Sequence, residues 1–232
     1  MGNDGTGSSG KQSIVGRKLY VPQMSYGGAV AFASAFRSVG VDAWPSPDSD
    51  ARTLELGSRH TSGEECLPAR VTLGNFLRIT EEPGFEPEKA AFFMPTADGP
   101  CRFGQYAPYM RKVLRDIGLS EVMVFSPTSR DGYEGMSEQV NELMRNALRG
   151  LVCADILRKL LHKTRPYEST HGETDGLHRK SLAAVEKILE VPGLPVKKRM
   201  EQLVKAMTAA RNEFRKIPAR YHHKRPLVGV VG

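Results

Sequence analysis

The chain predicts an α/β protein, with a Rossmann-like, mostly parallel sheet followed by a helical appendage. Three observations carry this expectation. Short apolar runs alternate with helical patterns from residue 17 to about 135, the rhythm of βαβ units. From 136 to 218 only the helical period persists. Apolar residues make up 40% of the 232, which suits an ordinary core and is too many for a disordered chain.

The elements follow in order. Residues 1–16, opening MGNDGTGSSGKQS, are Gly/Ser-rich and aperiodic, and are expected to form a flexible leader. RKLYVP (17–22) reads as a strand, GGAVAFASAFRSVG (27–40) as a small-residue helix stopped by glycine, and VDAWPSP (41–47) as a second strand. Gly27 and Gly28 open that helix, but YGGAV lacks the three spaced glycines of a dinucleotide fingerprint, so close packing of helix on sheet is their expected use. The pattern then repeats with RVTLGNFLRITEE (70–82) as helix, KAAFFMP (89–95) as buried strand, FGQYAPYMRKVLRDIG (103–118) as helix and EVMVFSP (121–127) as strand. Beyond Tyr133 the sequence predicts a long helix over Ser137 to Lys163, burying Leu143, Leu151 and Leu160. Two further helices are expected near Asp175 to Glu190 and Pro195 to Lys216.

Charge and cysteine usage narrow the setting. The net charge of +7 is local: residues 196 to 225 hold ten Lys and Arg against two Glu, and the rest of the chain comes to −1. Met200, Leu203, Val204, Met207, Ala210 and Phe214 recur there at helical spacing, so the basic residues read as the solvated face of a helix. A docking surface for a partner or a coenzyme phosphate is the competing reading. Nucleic acid is disfavoured, because no stacking or groove-reading motif accompanies the charge. Three cysteines without an apolar signal segment argue against a secreted disulfide scaffold and for the cytoplasm. No apolar run approaches the roughly 18 residues that span a bilayer.

The cysteines carry the chemistry. Cys66 and Cys101 each precede a predicted helix, whose unpaired N–H groups and positive dipole end stabilise a thiolate. In TSGEECLPARVTLGN, Cys66 follows a Gly-containing turn and has Pro68 two residues on; in ADGPCRFGQY, Cys101 follows Gly99-Pro100 and abuts Arg102. Such thiols suit metal ligation, while a small buried residue in a turn is the plainer alternative. Cys153 lies inside a long apolar-striped helix and reads as core. Zinc ribbons bring paired C-x2-C knuckles, whereas Cys66 and Cys101 stand 35 positions apart, so spacing alone names no metal. His222 and His223 fall in a basic loop and read as solvent-facing.

The stretches TSGEECLPARVTLGN, FFMPTADGPCRFGQY, EVMVFSPTSRDGY and RPYESTHGETD resemble the iron-sulfur proteins of the 2-hydroxyacyl-CoA dehydratase and benzoyl-CoA reductase superfamily, in particular the acyl-CoA dehydratase activase-related proteins. The likeness runs from about Arg17 to the C-terminus. It implies that Cys66 and Cys101 ligate an iron-sulfur cluster, 4Fe-4S or a larger double cluster, and that Arg102 lends positive charge beside the sulfur. A helix-start surface charge is the plain role for Arg102, and packing is the expected one for Tyr106. A cubane takes three or four protein ligands, so the remaining ligands are expected from downstream sequence or another subunit. RPLVGVVG looks like the first strand of a following α/β domain, with 219–232 as linker and strand, and the chain as a fragment or short form. The resemblance implies an ATP-hydrolysing activase or a second iron-sulfur subunit as partner, and acyl-CoA as the substrate class of the system. The chain itself has no G-x-x-x-x-G-K-[ST] phosphate loop. RPYE and GETD are expected to form an ion-paired structural loop, a docking contact for the activase being the functional alternative.

Two functions follow. The first is an iron-sulfur component of ATP-dependent, low-potential electron transfer to acyl-CoA dehydration or a related reduction. The second is a non-enzymatic α/β scaffold whose basic C-terminal helix binds a partner. Neither supplies a catalytic residue.

Overall fold

Four short strands pair in parallel, and the chain supplies few residues to each. The computed structural model describes residues 14–97, 99–128, 140–222, 226, 228 and 229. The strands are β1 (Lys18–Val21), β2 (Ala43–Pro45), β3 (Ala90–Phe93) and β4 (Met123–Phe125), in the order β2-β1-β3-β4. Every pairing is parallel. All four residues of β3 are buried, as a strand covered on both faces requires.

The chain leaves β1 toward one edge and returns through β3 toward the other. The carboxyl ends of β1 and β3 therefore flank the topological switch point, the crevice where open α/β sheets hold ligands.

Alternation along the strands splits the core into two layers. On one face, Leu19, Val21, Ala91, Phe93 and Phe125 meet α1 (Tyr26–Arg37) and the first turns of α5 (Val140–Thr164). On the other, Phe92 and Val124 meet α3 (Leu67–Thr80) and α4 (Tyr106–Asp116), with Phe92 stacked on Phe76 at 4.5 Å.

One helix escaped the sequence reading. α2 (Ala51–Arg59) is capped by Asp50, which accepts from the Thr53 amide while the Thr53 hydroxyl accepts from the Asp50 amide. It crosses α3 with backbones in direct contact: a Cβ at Gly57 would strike the Arg70 carbonyl, and one at Gly74 the Thr53 carbonyl.

The appendage is helical as expected, with α6 (Glu173–Leu189) and α7 (Val196–Phe214) following α5. Its core of Leu157, Leu182, Val185, Leu189, Leu203 and Phe214 is continuous with Val30 and Ala31 of α1. Leu143 is buried, but Leu151 and Leu160 are only half-buried; the inward stripe of α5 runs instead through Ala147, Gly150, Ala154 and Leu157. Residues 137–139 of the predicted helix lie outside the described residues.

Gly27 and Gly28 pack helix on helix rather than helix on sheet. A Cβ at Gly27 would come within 2.9 Å of Ala154, and one at Gly28 would strike the capping Ser25 hydroxyl at 2.6 Å before meeting Leu151 at 3.5 Å. Arg37, at the other end of α1, ties that helix to α6 and β2 by donating to Glu186 at 2.6 Å, to Glu190 at 3.1 Å and to the Ala43 carbonyl at 2.6 Å, with its guanidinium over the Trp44 ring.

The termini modify two expectations. Ile14 belongs to the buried core, so the end of the expected leader is structured; residues 1–13 lie outside the described set. Most of 223–232, where a further strand is expected, also lies outside it. Among the described residues, no helix is long and apolar enough to cross a membrane.

Candidate thiol site

Cys66 stands where α2 and α3 meet. The loop before it is drawn tight by Glu65, whose carboxylate accepts from the Ser62 amide at 3.0 Å and the Gly63 amide at 3.1 Å. Its own amide, then those of Ser62 and Gly63, hold the Glu65 carboxyl below the usual range. Cys66 is the N-cap of α3 in extended backbone, and Pro68 in the first turn presets the helical φ.

Its sulfur lies 2.8 Å from the Tyr106 hydroxyl, across 40 positions of sequence. Two opposed shifts bear on the proton. Burial, then the contact with Cys66, push the Tyr106 phenol above its ordinary value, while the Tyr106 hydrogen bond is the foremost cause that lowers the Cys66 thiol. Either atom can donate in this contact, and the two directions favour a protonated phenol beside a thiolate.

Helix geometry contributes less than expected. The Ala69 amide also favours the thiolate, yet no amide reaches the Cys66 sulfur in capping geometry. Arg102 adds its charge to the same effect, and its guanidinium is held by the Glu64 carbonyl at 2.6 Å.

Cys101 sits in the loop leaving the carboxyl end of β3, at the switch point. It is exposed and precedes a 3-10 turn, Arg102–Gln105, so α4 begins at Tyr106 rather than at 103. The Phe103 ring meets the Tyr106 ring edge-on at 5.1 Å, and the Tyr109 hydroxyl donates to the His60 carbonyl. Cys66 thus meets the Tyr106 phenol directly, while Cys101 and Arg102 open the 3-10 turn that leads into Tyr106, and Arg102 reaches back to the loop before Cys66. Tyr106 packs against the core as the sequence leads one to expect, and what that reading missed is its hydroxyl contact with Cys66; its position one turn after Cys101 was the available signal.

Cys153 takes no part. It is buried between α5 and the other helices of the appendage, on the opposite face of the sheet, where burial raises its thiol. His222 lies edge-on to Tyr167 at 5.4 Å, far along the chain from the thiols. His223 is outside the described residues.

The donor chemistry suits a soft metal centre in part. Two thiols, one of them biased toward thiolate, account for two ligand positions. Among the described residues, no group of three or more His, Cys, Asp or Glu is arranged to hold a metal ion.

The RPYESTHGETD loop is a structural cap. Glu168 accepts from the amides of Gly172 and Thr174, both at 2.8 Å, at the start of α6, and Arg165 pairs with Asp175 at 3.2 Å. The backbone of 167–169 also pairs with 218–220.

Comparison with known protein families, curated proteins and solved structures finds no match to this chain.

Proposed function

We propose that this chain is an iron-sulfur protein related to the 2-hydroxyacyl-CoA dehydratases, which takes part in ATP-dependent, low-potential electron transfer to acyl-CoA dehydration or a related reduction. The observation that supports it is the contact of the Cys66 sulfur with Tyr106 at 2.8 Å, beside the turn that carries Cys101 and from which Arg102 reaches the Glu64 carbonyl at 2.6 Å. Cys66 and Cys101 would hold the cluster, and its other ligands would come from downstream sequence or another subunit. When bound, such a cluster takes up and releases single electrons at a potential set by its surroundings.

The residues around the thiols have definable tasks. The Tyr106 hydroxyl and the Arg102 charge both stabilise negative charge on sulfur, an influence that raises a reduction potential. The Glu65 turn and the α2–α3 contact hold Cys66 in place. An ATP-hydrolysing activase or a second iron-sulfur subunit is the partner, and the reducing cytoplasm is the compartment that keeps both thiols available.

Anaerobic reconstitution with iron and sulfide tests the reading. The expected result is the broad thiolate-to-iron absorption that bleaches on reduction, lost in Cys66→Ser and in Cys101→Ser but kept in Cys153→Ala. A cluster that survives both serine changes, or that vanishes only with Cys153, would overturn it.

One observation favours the second reading, a scaffold that binds a partner. Val196, Met200 and Val204 form an exposed apolar row on α7 beside Lys197 and Lys205. Under that reading the reconstituted protein carries no stoichiometric iron.

A further inference from the structure

On the face of the sheet opposite the thiols, α5 and α7 enclose a cavity of about 220 Å³. Its walls are Glu142, Arg145, Asn146 and Arg149 of α5, Arg199 of α7, and the turn Gly193–Val196 that opens α7.

The charges there do not cancel. Arg199 and Glu142 neutralise one another in an ion pair at 3.2 Å, and Arg199 also donates to the carbonyls of Ile188, Leu189 and Val191. Arg145 is exposed and gives its Nε to the Asn141 carbonyl, and the outer fork of its guanidinium has no partner among the described residues. Arg149 is half-buried, has no carboxylate partner among the described residues, and presses electrostatically on Arg199. Among the described residues, the cavity therefore carries two guanidinium groups without a carboxylate partner, one helical turn apart on α5. Like charges at that spacing are unfavourable without an anion between them.

The third wall is cationic as well. α7 begins without a side-chain cap and without an acidic residue in its first turn, so its leading amides present the positive end of the helix to the cavity rim. Lys197 and Lys198 follow immediately.

We propose that this cavity binds a phosphate-class oxyanion, either inorganic phosphate or the terminal phosphate of a small molecule. Arg145 and Arg149 offer planar forks that match tetrahedral oxyanions, and the first turn of α7 supplies amides to the remaining oxygens. The volume lies below the roughly 300–1,000 Å³ of pockets that enclose a whole small molecule, so the cavity admits the anionic group and leaves any attached organic part outside. This inference is independent of the thiol site.

Titration calorimetry on the full chain at low chloride tests it, with inorganic phosphate and phenyl phosphate as separate probes. The expected result is saturable one-to-one binding of inorganic phosphate, weakened by about tenfold or more in Arg149→Ala, the loss of one charge-assisted contact. Arg149→Lys should recover only part of that affinity, and Lys159→Ala, ten residues on in the exposed face of α5, should bind as the parent does. Phenyl phosphate binding alongside phosphate identifies a terminal phosphate group as the ligand; phosphate alone identifies the free ion. Because Arg149 has no carboxylate partner among the described residues, the melting temperature of Arg149→Ala should stay level or rise. Arg145→Ala serves as the second variant, with the same expected loss. No saturation with either probe, or parental affinity in both alanine variants, overturns the proposal.

Discussion

Tyr106 bears on the thiol site through a single oxygen atom, and Tyr106→Phe removes that atom while leaving the ring contact with Phe103 in place. In the metal-free protein the Cys66 thiolate then loses its foremost stabilising contact, so its thiol moves upward and its iodoacetamide reaction at neutral pH slows. A pH–rate profile of Cys66 alkylation, followed by peptide mass spectrometry, should show the midpoint shifted to higher pH. An unchanged midpoint would leave Tyr106 a packing residue after all. The two cysteines were legible in the sequence because motif and turn chemistry are local. Tyr106 was visible only as an aromatic one turn after Cys101, since its contact with a sulfur 40 positions earlier depends on how α3 and α4 pack.

At the scale of elements, Glu168 shows how a motif without evident chemistry can be structural. The side chain of Thr174 is the leading influence on it, close to the carboxylate though its hydroxyl falls outside strict hydrogen-bond geometry. The amides of Gly172 and Thr174 follow, and together they hold the Glu168 carboxyl at about 2, against an ordinary value of 4.5. A carboxyl depressed in the folded state contributes stability that is fully present above its unfolded value and lost as pH falls toward the folded one. Glu168→Gln should therefore melt at a lower temperature than the parent above about pH 4.5, with the difference closing as pH falls toward 2. A gap that persists unchanged to pH 2 would mean that shape, not charge, makes the cap. The strands were readable because β-branched and aromatic runs between turn signals leave few alternatives. α2 was not, because nine residues with two leucines give too short an apolar period, and only the reciprocal Asp50–Thr53 cap announces it.

At the scale of the whole molecule, one arginine ties the appendage together. Arg199 is 1% exposed and joins α7 to the last carbonyls of α6 and to Glu142 of α5. Arg199→Ala strands that carboxylate and three carbonyl acceptors, so it should cost about 3–5 kcal/mol, a fall of roughly 6–20 °C in melting temperature for a chain of this size. A loss under about 1 kcal/mol would show that water replaces the guanidinium at no great cost. Sequence placed Arg199 on a solvated basic face, as an arginine among lysines invites, and only the three-helix junction draws it inward. The contact of α2 with α3 has a different reach. Because Gly57 and Gly74 bring two carbonyls against bare Cα atoms, neither position accepts any side chain, whatever becomes of the thiols. The pair is thus a constraint of the fold separate from the chemistry: a relative that has lost both cysteines but kept this crossing should still carry two glycines seventeen residues apart.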